Sequence, residues 1–324
     1  TYISDAKITT LEETRGDVFV QTSQAYANYS KTLFRKHNVS AMAGYENYYY
    51  KSGGIDAKNS SFPTSLIADL SAGGTEDVTA TSYNVAELAR NSFFGRLMYN
   101  YDSKYYIQGN IRRDGSSRFA KECRWGTFLS ASAGWVFTRE PFMQSLKDIV
   151  NHGKLRISYG ELGNERINGY YPYQTVLGSN NSVAYEGTTV VPVTGYSQSA
   201  AVVKDLTWES TATSDIGLDL QMFKDRLSFT GDVYYKKTSD MLLTVPIAPI
   251  IGLSDPYDNV GDMNTKGWEV SIGWRDVIGD FSYSVNANVS DEVSKIGYIG
   301  GKRIISGGKI IQEGTEYESW YGYQ

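Results

Sequence analysis

The densest group of chemically capable side chains is the octet Arg112-Arg113-Asp114-Gly115-Ser116-Ser117-Arg118-Phe119. Three guanidinium groups so close together can hold an anion or a partner's carboxylate through paired N–H donors. The same residues have a structural use. Asp114-Gly115 is a turn signal, and the arginines can pair with Asp114 and Glu122 to pin a loop; the turn signal favours this role. The other candidates for ligand contact are aromatic: Tyr170, Tyr171 and Tyr173, then Tyr257, then Trp320 and Tyr321, all in glycine-rich stretches. A flat ring stacks on a sugar face or a peptide side chain, and its polar edge hydrogen-bonds. The competing use is an aromatic girdle, or packing of the loop upon itself.

No catalytic or metal-binding constellation stands out. His37 and His152 precede strands and read as solvated turn residues rather than metal ligands or triad members. The pairs Glu12-Glu13 and Glu316/Glu318 lie in unpatterned segments, which do not hold the spacing that acid–base work needs. Gly300-Gly301-Lys302-Arg303 lacks the Ser or Thr after lysine and the preceding spacing of a phosphate loop. Cys123 is the single cysteine, so no intrachain disulfide can form, and it reads as an incidental loop thiol. The expectation is no enzyme, no cofactor and no metal. A net charge of −5 also argues against nucleic-acid binding, which needs a basic face.

The elements that must position these residues are strands. Around the central break at Asp102-Ser103-Lys104, Leu97, Tyr99 and Tyr101 alternate with Arg96, Met98 and Asn100. Beyond it, Tyr105, Ile107, Gly109 and Ile111 alternate with Tyr106, Gln108, Asn110 and Arg112. Period two means strand, and two such runs across a short break make a hairpin. Similar runs cover Val18–Tyr29, Val39–Glu46, Thr127–Phe137, Lys154–Gly160, Thr207–Phe223, Leu227–Tyr235, Trp268–Trp274 and Phe281–Ser290, about ten strands in all. Pro141 bars a regular strand from the connection at Thr138–Gly153. The longest nearly apolar run, Met241–Leu253, contains Pro246 and Pro249 and is too short for a membrane helix.

Long connections are expected at Lys51–Asn91, Arg113–Arg124, Glu161–Asp205, Lys237–Lys266 and from Asp291 onward, with a short helix near Ser65–Leu70. Short turns separate them. Strict alternation of long and short connections places every long loop at one end, as in outer-membrane barrels. Rows such as Ser282, Ser284, Asn286, Asn288 and Ser290 suit a water-filled interior rather than a sandwich core. The 26 tyrosines and 6 tryptophans suit a boundary between hydrocarbon and water. A soluble carbohydrate-binding sandwich is the competing class.

The octet, then Arg124-Trp125-Gly126, then Phe128-Leu129-Ser130-Ala131-Ser132-Ala133-Gly134-Trp135, resembles a signature of the SusC/RagA-type TonB-linked outer-membrane transporters, with Leu129 where that family usually has proline. Leu155-Arg156-Ile157-Ser158-Tyr159-Gly160 with Gly163-Asn164 resembles the next strand and loop. Tyr234-Tyr235-Lys236-Lys237-Thr238-Ser239-Asp240-Met241-Leu242 and Gly267-Trp268-Glu269 resemble later ones. The resemblance implies an all-β chain, a segment of a large antiparallel transmembrane β-barrel in the bacterial outer membrane, in contact with lipid. It implies import of oligosaccharides or peptides, a SusD-like surface lipoprotein as partner, and the TonB system acting through a plug domain. Nothing in the sequence resembles the plug, so residues 1–324 are expected to be a partial barrel, either processed or a fragment. The alternative is a passive porin or surface adhesin barrel.

Overall fold

The protein is described by a computed structural model, covering residues 10–322 apart from 64, 65, 67, 77 and 188. Among the described residues, seventeen strands follow in chain order. They begin with β1 (Thr10–Leu33), β2 (His37–Ser60), β3 (Thr79–Tyr101), β4 (Tyr105–Ser116), β5 (Trp125–Trp135) and β6 (Val150–Asn164). The hairpin β7 (Leu177–Glu186) and β8 (Thr189–Gln198) precedes β9 (Glu209–Met222) and β10 (Leu227–Ser239). Two short strands, β11 (Leu242–Thr244) and β12 (Tyr257–Asn259), come before the long pair β13 (Met263–Ile278) and β14 (Phe281–Ile296). The chain closes with β15 (Ile304–Ser306), β16 (Lys309–Ile311) and β17 (Ser319–Trp320). Ten strands form one sheet in the order β1-β2-β3-β4-β5-β6-β9-β10-β13-β14; the other seven make three small sheets, two within connections and one after β14. No helix among the described residues is long and apolar enough to cross a membrane.

The expected strands are present but longer, and several expected loops are corrected. β2 and β3 take up most of Lys51–Asn91, leaving a connection at 61–78. Part of the expected helix near Ser65–Leu70 lies outside the described residues, and a single 3-10 turn covers Leu70–Ala72. β4 runs through Ser116, so the first half of the octet is strand. The stretch Glu161–Asp205 contains β7 and β8. The strands outrun the apolar alternation because polar side chains can pair across a ladder as well as apolar ones.

By its contacts the chain divides into two compact units, one within 1–24 and 46–91, the other within 25–45 and 92–324. The first is held by polar cross-strand pairs. Asn47 Nδ2 donates to Asn91 Oδ1 at 2.7 Å, Tyr49 Oη to Glu87 at 2.6 Å, and Ser52 Oγ to the Asn84 carbonyl at 2.7 Å.

In the second unit, register sorts the residues into two faces. Ile107 opposes Ala133, which opposes Ile157, then Ile216, Val233 and Trp268. The next row toward the short turns joins Leu155, Leu218, Gly231, Val270 and Val289. These bulky apolar side chains are left open to the surroundings; Ile107 is 58%, Val233 65% and Val289 60% exposed. Aromatic rings bound the apolar face at both ends. Trp135, Tyr105, Trp274 and Tyr283 lie toward the short turns, and Phe93, Trp125, Tyr235 and Trp268 toward the long connections. An apolar band between two aromatic girdles is the surface a bilayer selects. Ile107 lies only two residues from Tyr105 at the short-turn girdle, closer to the rim than a position well inside the strand.

Candidate functional site

The described residues bury one sizeable apolar cluster, and it sits among the long connections. Phe119, the last residue of the octet, is completely buried there against Phe128, Ile167, Leu206, Trp208 and Leu242. The Phe119 and Phe128 rings stand 5.4 and 5.6 Å from the Trp208 ring. Three connections, those between β4 and β5, β6 and β9, and β10 and β13, thus converge with β5 on one aromatic knot. Main-chain groups around it are satisfied by side chains: Trp208 Nε1 donates to the Arg124 carbonyl at 2.9 Å and Thr207 Oγ1 to the Cys123 carbonyl at 3.2 Å.

The octet arginines act within this frame. Arg112 Nε donates to Asp114 at 2.9 Å, and its Nη2 to Ser92 Oγ at 3.0 Å. The Arg113 guanidinium lies over the Trp125 ring at 5.5 Å. Arg118 Nη1 donates to the carbonyls of Ile167, at 2.7 Å, and Glu165, at 3.5 Å, while its plane lies 5.2 Å from the Tyr170 ring. Arg118 thus ties the octet to the connection after β6 through main-chain oxygens, a linkage the Asp114/Glu122 pairing did not foresee. Ser116 is fully buried.

Of the aromatic candidates, four gather near this knot. Tyr170 lies under Arg118, Tyr171 and Tyr173 meet edge to face at 6.3 Å, and Tyr173 Oη donates to the Ser117 carbonyl at 3.4 Å. Tyr257, on β12, packs against the cluster itself. Trp320 and Tyr321 belong to a different element, the small sheet β15–β17. Trp320 is 84% exposed with the Lys309 ammonium 6.0 Å from its ring, and Arg303 lies over Tyr321 at 4.6 Å.

The remaining candidates resolve as structural. His37 Nδ1 is 2.8 Å from Tyr99 Oη and its ring meets Tyr101 at 4.9 Å, so it is a half-buried partner at the start of β2 rather than a solvated turn residue. His152 stands at a bulge opening β6. At Gly300-Gly301, both residues turn through positive φ, and the Glu313 carboxylate accepts the N–H groups of Ile299, at 2.9 Å, and Gly301, at 3.0 Å. These two bonds hold the Glu313 carboxyl below the usual carboxylate range. The anion that this turn binds is the chain's own. No group of histidine, cysteine and carboxylates that could hold a metal occurs among the described residues.

The face opposite the apolar rows carries a charge network that sequence reasoning left unassembled. Arg156 on β6 donates from Nε to Asp219 at 2.7 Å and from Nη2 to Asp232 at 2.9 Å. The guanidinium crosses β9 at Gly217, where any Cβ would strike both the arginine and the Asp232 carboxylate. Lys154 lies over the Tyr106 ring at 5.1 Å, and Tyr234 Oη donates to Glu292 at 2.9 Å. All of these residues stand on the polar phase of strands the sequence reveals. What the sequence lacked was the register that brings Arg156 opposite Gly217 and Gly217 opposite Asp232.

The chain matches the family described as TonB dependent receptor-like, beta-barrel over residues 2–309. It is 33% identical over 308 residues to a TonB-dependent receptor of Formosa agariphila, covering 93% of this chain and 28% of that protein. Identity to the TonB-dependent receptor SusC of Bacteroides thetaiotaomicron is 32% over 212 residues, 63% of this chain and 21% of that one. Among solved structures, that of the RagAB peptide transporter matches with a TM-score of 0.86 at 29% identity, covering 96% of this chain and 34% of the matched chain. The chain thus spans about a third of the length of the relatives it matches. The connection 136–149, expected to be short, is longer than 117–124, expected to be long. With its two-faced sheet and its girdles, the chain belongs to the TonB-dependent receptor-like β-barrel family of the bacterial outer membrane.

Proposed function

We propose that this chain is part of the wall and extracellular rim of a transporter that imports oligosaccharides or peptides, powered by the TonB system through a plug domain outside residues 1–324. The observation that carries the reading is the contrast between the two faces. Apolar rows meet lipid, while the opposite face presents Arg156, Asp219 and Asp232 among serines and asparagines, a lining suited to water and to a polar plug or solute. The neighbour named as a peptide transporter supports peptides as cargo, and the resemblance to the SusC/RagA-type transporters supports oligosaccharides as the other class. Half-buried Tyr170, Tyr171, Tyr173 and Tyr257 and exposed Trp320 and Tyr321 serve as the ring surfaces that meet cargo or a SusD-like surface lipoprotein. The chain acts as a conduit and not as an enzyme.

The experiment is purification of the full-length protein under mild detergent, followed by mass spectrometry of co-purifying protein and small molecules. The reading expects a surface lipoprotein in stoichiometric amount and a bound glycan or peptide. A full-length protein with neither, isolated from cells grown on both cargo classes, would overturn it.

A further inference from the structure

One connection at the short-turn end is out of scale. Residues 34–36, 102–104, 223–226 and 279–280 are tight turns, whereas 136–149 carries two 3-10 segments, Phe137–Arg139 and Pro141–Leu146. Nor does it simply hang from the end of the sheet. Val136 and Thr138 are buried, and Thr138 Oγ1 accepts the Gly153 N–H at 3.1 Å. A Cβ at Gly153 would strike the Phe137 ring. Gly153 opposes Leu220 and Leu155 opposes Leu218, so Gly153 belongs to the apolar phase of β6. The start of the connection is therefore folded back over the lipid-facing side of the sheet.

The aromatic girdle holds the segment near both ends. The Glu140 carboxylate accepts Tyr105 Oη at 2.5 Å, Trp135 Nε1 at 3.3 Å and Lys104 Nζ at 3.4 Å. Tyr105 and Trp135 oppose each other in the short-turn girdle. The Phe142 ring stands 6.3 Å from the Trp135 ring. At the far end the Ile149 carbonyl accepts the Phe223 N–H at 2.8 Å, and the Phe223 ring is 6.5 Å from that of Trp274, a third girdle residue.

Side chains three residues apart eclipse one another in a 3-10 turn. Met143 and Leu146 thus share one stripe, with Phe142 beside it and Ile149 at the same spacing just beyond. Gln144 and Lys147 make the next stripe, which is polar. Phe142 is 64%, Leu146 44% and Ile149 46% exposed. Within 136–149 the charges balance, Arg139 and Lys147 against Glu140 and Asp148, so what the stripe offers a partner is apolar area. It continues outward from a girdle that already faces lipid, at the level where acyl chains give way to headgroups.

We propose that the connection 136–149 is an interfacial foot: Phe142, Leu146 and Ile149 enter the acyl boundary of the leaflet on the short-turn side and hold β5 and β6 at a fixed depth in the bilayer. The foot rests on the outer-membrane barrel fold and is independent of the import reading.

The test uses full-length protein in its own outer membrane, with a photoreactive diazirine side chain introduced at Leu146, Gln144 or Ile157, one position at a time. After irradiation, mass spectrometry identifies what each position has captured. Ile157, in the apolar band, reports lipid. Position 146 should give lipid adducts as Ile157 does, and the adducts should be lost at Gln144, on the polar stripe. Heat-modifiable migration confirms that each labelled protein is an intact barrel before its adducts are scored. A protein adduct at 146 would assign the stripe to a periplasmic partner and overturn the proposal. Reaction at 146 with water alone would overturn it too, as would equal lipid capture at 144 and 146.

Discussion

The sharpest consequence of the two-faced sheet falls on two adjacent residues of β13. Ile272 opposes Phe229 and Ala287 on the apolar face; Ser271 opposes Thr230 and Asn288 on the polar one. Along β13 the apolar phase is bounded by Trp268 and Trp274, about 20 Å apart along the strand, and Ile272 lies between them. Ile272→Arg puts a guanidinium against hydrocarbon two residues inside the Trp274 girdle, at about 1–3 kcal/mol, between the interface and midplane costs. That is about a 5- to 150-fold shift in the folding equilibrium. Ser271→Arg, one residue away, enters water near Asp232 and Glu269, which pair in the adjacent row, and gains from them what it loses in crowding. The assay is the amount of heat-modifiable full-length protein in the outer membrane. The expected result is strong depletion for Ile272→Arg and near-normal assembly for Ser271→Arg. Depletion by Ser271→Arg alone would invert the faces; equal behaviour of the two would remove the bilayer from the account.

Phe119→Ala, by emptying the centre of the buried aromatic cluster, should cost about 3–5 kcal/mol locally and open the connections to protease within 165–208 while the membrane-spanning strands stay protected; unchanged proteolysis would deny the cluster its role. Gly217→Ala forces a methyl into the Arg156–Asp232 crossing and should lower stability by about 1–3 kcal/mol, seen as a lower unfolding temperature of the full-length protein. Glu313 is held below the ordinary carboxylate pKa by the N–H groups of Ile299 and Gly301, so its contribution is complete above the ordinary value and fades as pH falls through the lowered one. Pepsin should therefore cleave within 297–322 only at distinctly acidic pH, whereas Glu313→Gln should be cleaved without that pH step; loosening as pH rises would contradict the sign. Tyr171→Ala and Trp320→Ala should each weaken uptake several-fold at unchanged membrane abundance, from about 0.5–1.5 kcal/mol per lost ring contact, and unchanged uptake in the double variant would assign both rings to packing.

The wall of this fold was legible because the bilayer writes its demand directly into alternate residues. Trp268, Val270, Ile272 and Trp274 face lipid, Glu269, Ser271 and Gly273 do not, and tight turns such as Asp102–Ser103–Lys104 fix the register. Where the bilayer ends, the signal ends. Lys51–Ser60 and Thr79–Asn91 are strands held by Tyr49–Glu87 and Ser52–Asn84 pairs, and neither face needs to be apolar. β8 was hidden by Pro192, which opposes Val183 in a two-stranded hairpin where a missing donor can face outward. The octet was visible as a motif, yet Arg118's carbonyl acceptors at Glu165 and Ile167 lie on a connection whose path no local pattern encodes. Arg156, Asp219 and Asp232 were each visible as polar-face residues, and only pairing across Gly217 makes them a network.

The proposed TonB-driven import is tested by accumulation of the co-purifying glycan or peptide, labelled, in cells expressing the full-length protein. Uptake should saturate and should disappear when TonB is removed or the proton gradient is collapsed, with the protein still folded in the outer membrane. Uptake that continues at the same rate without TonB would make the barrel a passive pore and refute the proposed import.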